Sequence, residues 1–220
     1  MGPALRLLLL GPPGAGKGTQ ARKLAERLGV PHVASGELLR QAAADRSPIG
    51  LKAKAYMDRG EYVPDEIMIW FISEHLNELG ADGFVLDGFP RTIEQAKALD
   101  LELDTEQRPL QIVIGLDVPD DEVERRLTGR RTCPSCQRTY HMHYDPPAVD
   151  EVCDEDGTKL ATRPDDEPET VRRRLQVFHQ QTDGLYDYFR ERGNLVSVDG
   201  CGELDEVSKR IDEAIEAGPR

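Results

Sequence analysis

Apolar and polar positions divide the chain into two recurring kinds of segment. Leu5-Arg6-Leu7-Leu8-Leu9-Leu10 is a short apolar run that stops at Gly11-Pro12-Pro13, and similar runs follow at Gly83-Phe84-Val85-Leu86, Ile112-Val113-Ile114-Gly115-Leu116 and Leu195-Val196-Ser197-Val198. Unbroken apolar runs this short, bounded by Gly, Pro and polar residues, predict strands buried on both faces, as in a parallel sheet. His32-Val33-Ala34 predicts one more strand. Between the runs, residues 19–28, 65–79 (behind Pro64), 92–103, 120–127, 168–191 and 204–217 carry helical patterning. Strands alternating with helices predict an α/β fold in three layers around a central parallel β-sheet. Two stretches break the alternation. Residues 34–63 have helical patterning with no following strand, and residues 129–166 are rich in Cys, His, Tyr, Pro and Asp with no long apolar period. Both are expected to be insertions on a single domain spanning 1–220, whose core is residues 1–33, 64–128 and 167–220.

Composition narrows the partners. Over 220 residues, 41 acidic side chains against 28 basic ones leave a net charge of −13. That argues against nucleic acid or an anionic membrane surface, because both are polyanions that the average field repels. A small anionic ligand held by a local cluster of bases stays open. Apolar residues at 38% and charged residues at 31% suit one compact domain bearing insertions. No apolar run approaches the roughly 20 residues of a membrane helix, and the Leu-rich start ends in a Gly-rich loop rather than in a signal-type cleavage region. A cytoplasmic location is expected. Arg outnumbers Lys three to one. Arg is the better fork for phosphate, though genomic base composition biases the same ratio.

The candidate chemistry begins at Gly11-Pro12-Pro13-Gly14-Ala15-Gly16-Lys17-Gly18-Thr19. This segment follows a predicted strand and opens a predicted helix, where successive backbone N–H groups cradle phosphate oxygens and Lys17 adds a point charge. The strict P-loop pattern places Ser or Thr directly after the Lys. Here Gly18 intervenes and the hydroxyl belongs to Thr19, which weakens the inference of direct Mg²⁺ binding by the loop.

A second constellation lies in the 129–166 insertion. Cys133 and Cys136 are separated by two residues, Cys136 and Cys153 by sixteen, and Asp156 follows Cys153 after two more. This is zinc-ribbon spacing with the last thiolate replaced by a carboxylate. A closed four-donor site is structural, stapling a small segment that lacks an apolar core of its own. His141 or His143 as fourth ligand, or hydrogen bonding without metal, are the competing readings. Cys201, outside the cluster, reads as an incidental small residue.

The glycine loop, with Ser35-Gly36-Glu37-Leu38-Leu39-Arg40, Asp87-Gly88-Phe89-Pro90-Arg91-Thr92, Gly129-Arg130-Arg131, Thr162-Arg163-Pro164-Asp165-Asp166, Glu169-Thr170-Val171-Arg172-Arg173-Arg174 and Val198-Asp199-Gly200, resembles the adenylate kinases over essentially the whole chain. The resemblance implies a monomeric phosphotransferase converting MgATP and AMP to two ADP. It makes 34–63 a nucleotide-monophosphate-binding insertion and 129–166 a lid. It implies catalytic roles for Lys17, Arg91, Arg130, Arg163 and Arg174, and ATP contacts from Gly14, Ala15, Gly16, Lys17, Gly18, Thr19, Arg130, Thr139, Tyr140 and Gly202. For AMP it implies Ser35, Arg40, Glu61, Tyr62, Val63, Gly88, Phe89, Pro90, Arg91, Gln95, Arg163 and Arg174. Asp87 falls on the position that holds Mg²⁺ through water, and Asp156 on the fourth lid ligand for a structural Zn²⁺. Ser35 stands where the family commonly has Thr, and Glu37 where it commonly has Asp. Tyr140 is expected either to stack on a base or to fill a small lid core, and Arg172 and Arg173 to be solvated. Three alternatives remain: a monophosphate kinase of other base preference, a zinc-ribbon nucleic-acid-binding protein, and a hydrolytic switch.

Overall fold

The computed structural model describes residues 5–80 and 83–218. The expected core's outermost residues, 1–4 and 219–220, and residues 81–82 lie outside the described residues. The strands are β1 (Arg6–Leu10), β2 (His32–Ala34), β3 (Phe84–Asp87), β4 (Ile112–Asp117), β5 (Arg130–Thr132), β6 (Thr139–His141) and β7 (Leu195–Asp199). The helices are α1 (Lys17–Leu28), α2 (Ser35–Ala44), α3 (Pro48–Met57), α4 (Asp65–Leu79), α5 (Ile93–Thr105), α6 (Asp120–Thr128), α7 (Pro168–Gln181), α8 (Asp183–Glu191) and α9 (Leu204–Ala217). The main sheet has the order β2-β3-β1-β4-β7, all parallel, and β5 pairs antiparallel with β6.

Side-chain alternation along the strands sorts the apolar runs onto two faces. Leu7, Leu9, Val85 and Ile114 pack with Leu24 of α1, Val171 of α7 and Ile211 of α9. Leu8, Leu10, Leu86 and Val113 pack with Ile72 of α4, Leu99 of α5 and Phe189 of α8. Each such buried side chain contributes about 1.5–3 kcal/mol. Local signals set the helix starts: the Thr92 hydroxyl accepts from Gln95 N at 3.2 Å, Pro48 begins α3 behind a Ser47 cap, and Glu203 and Glu206 form a capping box on α9.

One expectation fails. Residues 168–191 are two helices broken at Thr182, not one. The reason lies in the packing: α7 sends Val171 and Leu175 to one face of the sheet, while α8 sends Leu185 and Phe189 to the other. A single straight rod cannot serve both. Among the described residues no helix is long and apolar enough to cross a membrane.

Candidate active site

The strand order changes direction at β1, and the crevice beyond the carboxyl ends of β1 and β3 is where parallel α/β sheets bind ligands. Here it opens into a cavity of about 890 Å³. Its lining includes Gly14, Ala15, Gly16, Lys17, Gly18 and Thr19 from the loop and first turn after β1, Asp87 and Gly88 from the end of β3, and Pro90 and Arg91 just beyond. Arg40, Glu61 and Tyr62 line it from the 34–63 side, Arg130, Thr139, Tyr140 and Arg163 from the 129–166 side, and Arg174 and Gly202 from the core. The structure thus brings sequence-distant predicted residues to one cavity.

Gly16 caps α1 with φ 91°, a left-handed conformation that a side chain would strain. The Lys17 ammonium turns back onto the loop, donating to Gly11 O and Pro12 O, both at 2.8 Å. A Cβ on Gly18 would stand 3.2 Å from Asp87 Oδ2, so the glycine lets the carboxylate sit against the loop. An oxygen donor beside the phosphate cradle fits a hard cation such as Mg²⁺.

The cations are held in different ways. Arg130 Nε donates to Asp166 Oδ2 at 2.7 Å, and its Nη2 pairs with Asp166 Oδ1. Arg174 Nη1 lies 2.7 Å from Asp165 Oδ2 and 3.1 Å from Asp166 Oδ1. Arg163 is held by hydroxyls instead, donating from Nε to Thr132 Oγ1 at 2.8 Å and from Nη2 to Thr139 Oγ1 at 3.1 Å. Arg91 Nε donates to Gly88 O at 2.7 Å, with its guanidinium 5.0 Å from the Tyr62 ring centre. Arg40 Nε is buried without a partner.

Electrostatics registers the crowding. Desolvation in the cleft pushes Lys17 down to about 8; Asp87 opposes this, while Arg91, Arg174 and Arg130 add to it. Desolvation likewise lowers Arg40 to about 10, with Asp165 opposing and Arg130 adding. Arg163 is lowered by desolvation, then by Arg130 and Arg40. An arginine stays charged at every relevant pH, so these directions record burial first and mutual repulsion second, both of which a bound polyanion offsets.

Four predicted residues stand behind the cavity wall. Ser35, Val63, Phe89 and Gln95 are buried. Ser35 Oγ donates to Gly88 O at 2.7 Å. Gln95 accepts from Arg91 N at 2.8 Å and donates to Asp65 Oδ1 at 2.7 Å, bracing the Arg91 backbone. Arg172 and Arg173 are both exposed, as expected, and Arg173 makes a surface ion pair with Glu61 at 2.7 Å.

The sequence-distant thiols also converge. Donor atoms of Cys133, Cys136, Cys153 and Asp156 all lie within 4.8 Å of one another. Cys136 Sγ is 3.6 Å from Cys153 Sγ, and Cys133 Sγ is 3.5 Å from either Asp156 oxygen. Tetrahedral zinc–thiolate bonds of about 2.3 Å place sulfurs roughly 3.8 Å apart, so this donor set fits Zn²⁺. The two knuckles match: Gln137 after Cys136 and Gly157 after Asp156 are both left-handed, at φ 62° and 71°. Neither His141 nor His143 belongs to this set, so Asp156 is the fourth donor within reach; His141 Nδ1 accepts from His143 N and Tyr144 N at 3.1 and 3.0 Å. Tyr140 is buried with Cys133, Cys153 and Leu160 as a small core. Its hydroxyl accepts from Asp154 N at 2.8 Å.

The family model described as Adenylate kinase matches residues 9–194. The chain belongs to the adenylate kinase family. It is 49% identical over 208 residues to the Adenylate kinase of Thermodesulfovibrio yellowstonii, covering 94% of this chain and 97% of that one. It is 50% identical over 212 residues to the Adenylate kinase of Acidothermus cellulolyticus (96% and 98%) and 46% identical over 213 residues to that of Archaeoglobus fulgidus (96% and 98%). This adenylate kinase homologue is a nucleoside monophosphate kinase, a phosphotransferase, and nothing in the matches favours a nucleic-acid-binding ribbon or a hydrolytic switch.

Several residues of the adenylate kinase cleft escape sequence reasoning. Arg126 lines it, donating to Gly200 O at 3.0 Å. In the sequence its helical pairing with Glu122 reads as an ordinary surface pair. Asp165 and Asp166 sit in a quoted motif, but only their contacts with Arg130 and Arg174 give them work. Arg138 stacks over the Tyr140 ring at 5.2 Å. Its position in the Cys-rich stretch carries no periodic signal.

Proposed function

We propose that the cleft aligns MgATP with AMP for direct in-line transfer of the terminal phosphoryl group, giving two ADP. The observation that carries this reading is the convergence of Lys17, Arg40, Arg91, Arg130, Arg163 and Arg174 on one cavity. Bringing a triphosphate against a monophosphate opposes several negative charges, so neutralisation and positioning are the catalytic demand. The second pKa of a phosphate monoester is about 6, so the attacking oxygen needs no general base.

In this reading the loop Gly14 to Thr19 holds the ATP phosphates, and Lys17 leaves Gly11 and Pro12 to follow the transferred group. Arg130, Arg163 and Arg174 surround that group, and Arg40 and Arg91 hold the AMP phosphate bidentately. Thr139, Tyr140 and Gly202 flank the ATP base. Glu61, Tyr62, Gly88 and Pro90 flank AMP, with Ser35, Val63, Phe89 and Gln95 supporting from behind. Asp87 would hold Mg²⁺, which would neutralise phosphate charge there. Cys133, Cys136, Cys153 and Asp156 would hold a structural Zn²⁺, which would fix the fold of residues 129–166 as a lid. The lid and the 34–63 insertion close on the two nucleotides and exclude water. The protein acts as a cytoplasmic monomer without nucleic acid.

The test is ADP formation from ATP with AMP, GMP, CMP or UMP as acceptor. The expected result is two ADP per AMP consumed, with no comparable ADP formation when AMP is omitted. Faster turnover of UMP or CMP overturns the acceptor assignment.

A further inference from the structure

Thr182 carries a hydroxyl that its helix does not use. It stands at the N-cap of α8, where a Thr side chain ordinarily accepts a bond from a first-turn N–H, yet no side-chain cap bond forms there. The hydroxyl turns instead toward Tyr62 and Arg91 at the wall of the cavity, which Thr182 also lines. Thr182 Oγ1 lies 2.9 Å from Arg91 O and 2.8 Å from Tyr62 Oη. A carbonyl can only accept, so the single Thr182 proton is committed to Arg91, and Tyr62 must be the donor to Thr182. The bonds run one way, from Tyr62 O–H to Thr182 O–H to the Arg91 carbonyl. Thr182 is 2% exposed, so water does not compete for its hydroxyl.

The same Tyr62 places its ring 5.0 Å from the Arg91 guanidinium. Gln95 Oε1 accepts from Arg91 N at 2.8 Å, and Gly88 O accepts from Arg91 Nε at 2.7 Å. Arg91 is therefore gripped at its N–H, its carbonyl and its Nε, with its guanidinium over the Tyr62 ring, which leaves the two terminal nitrogens for a ligand. The geometry points to Thr182 as a positioning residue for Arg91, acting as one unit with Tyr62 and linking the end of the 34–63 segment to the α7–α8 break. This rests on the reading that Arg91 holds the acceptor phosphate.

The test uses Thr182→Val, which keeps the shape and removes the hydroxyl, with Thr182→Ser, Tyr62→Phe and the double variant Thr182→Val/Tyr62→Phe. Loss of one buried hydrogen bond is expected to raise the KM for AMP about fivefold in Thr182→Val, with the KM for ATP unchanged. Thr182→Ser restores the parental value. The double variant is no worse than Thr182→Val alone, because the bonds act as one chain. An Arg91→Ala control separates the two claims. If it leaves the KM for AMP unchanged, the assignment of Arg91 falls and the positioning role falls with it. If it raises that KM while Thr182→Val does not, or if Thr182→Ser is as impaired as Thr182→Val, only the positioning role is overturned. Should Thr182→Val fail to fold, Thr182→Ala takes its place: an unchanged KM for AMP overturns the proposal, and a KM raised for AMP but not for ATP, restored in Thr182→Ser, supports it.

Discussion

The main sheet and the 129–166 segment hold their shapes by different means. In the sheet, Leu7, Leu8, Leu9, Leu86 and Ile114 are at most 1% exposed, and helices cover both faces. In residues 129–166 the buried cluster is only Cys133, Tyr140, Cys153 and Leu160, beside two three-residue strands. So small an apolar cluster cannot offset the ordering entropy of the segment. In the proposed reading a cation on the converging donor set takes over that task; in its absence desolvation, and after it the hydrogen bonds with Cys153 and Cys133, push the Cys136 thiol up to about 11. The comparison teaches that, where the proposed metal binds, a small segment is ordered by ligation in place of an apolar core, because ligation is strong, compact and needs little buried area.

The largest expected effect is on the apolar side. Leu86→Ala opens a cavity between β3 and the helices over it and costs roughly 3–5 kcal/mol, seen as a lower midpoint of the global unfolding transition. A chemical denaturation curve checks it; a shift confined to the 129–166 segment breaks the comparison. Next comes Cys153→Ala, expected to lose one equivalent of zinc and to lower the temperature of inactivation by roughly 5 °C, a shift worth about 2 kcal/mol. The far-ultraviolet signal of the sheet and helices at 25 °C stays as it was. Unchanged metal content in this variant removes Cys153 from the ligand set.

The smallest effect sharpens the boundary between the regions. His179 on α7 lies 3.1 Å from Asp183 of α8 and 3.1 Å from Asp120 of α6, the helix that leads into residue 129. Partial burial acts to lower its pKa, but the hydrogen bonds and charges of Asp120 and Asp183 prevail and raise it above 6.5. A raised folded value means that the stabilisation is fully present below pH 6.5 and is lost as pH rises through the folded pKa. The imidazole is about half exposed, so solvent screening keeps the effect under about 1 kcal/mol. Melting temperatures of the parent and of His179→Gln are expected to differ at pH 6 and to converge at pH 9; a difference that does not change with pH contradicts the ion-pair account.

Legibility followed the range of the interactions. Helix α4 and helix α9 appeared in the sequence with the bounds they have in the structure, because proline, capping and periodicity are all local there. The glycine loop was legible for the same reason, and so was the Cys spacing, since each knuckle closes within a few residues. The break at Thr182 was not, because its cause is a sheet whose two faces claim different halves of the segment, and the partners of the Thr182 hydroxyl, Arg91 and Tyr62, come from far along the chain. The arginines were visible as residue types in motifs. Which of them would rest on a carboxylate, as Arg130 does, and which on threonine hydroxyls, as Arg163 does, is set by tertiary contacts alone.

The most direct test follows phosphoryl transfer from ATP to AMP as one sample of known metal content is heated, before and after the metal is stripped by a chelator. The account predicts two ADP per AMP and one equivalent of zinc. After stripping, activity should fail at a lower temperature while the sheet melts where it did before. Metal-free protein that retains the parental inactivation temperature, or loses lid and sheet in a single transition, contradicts it.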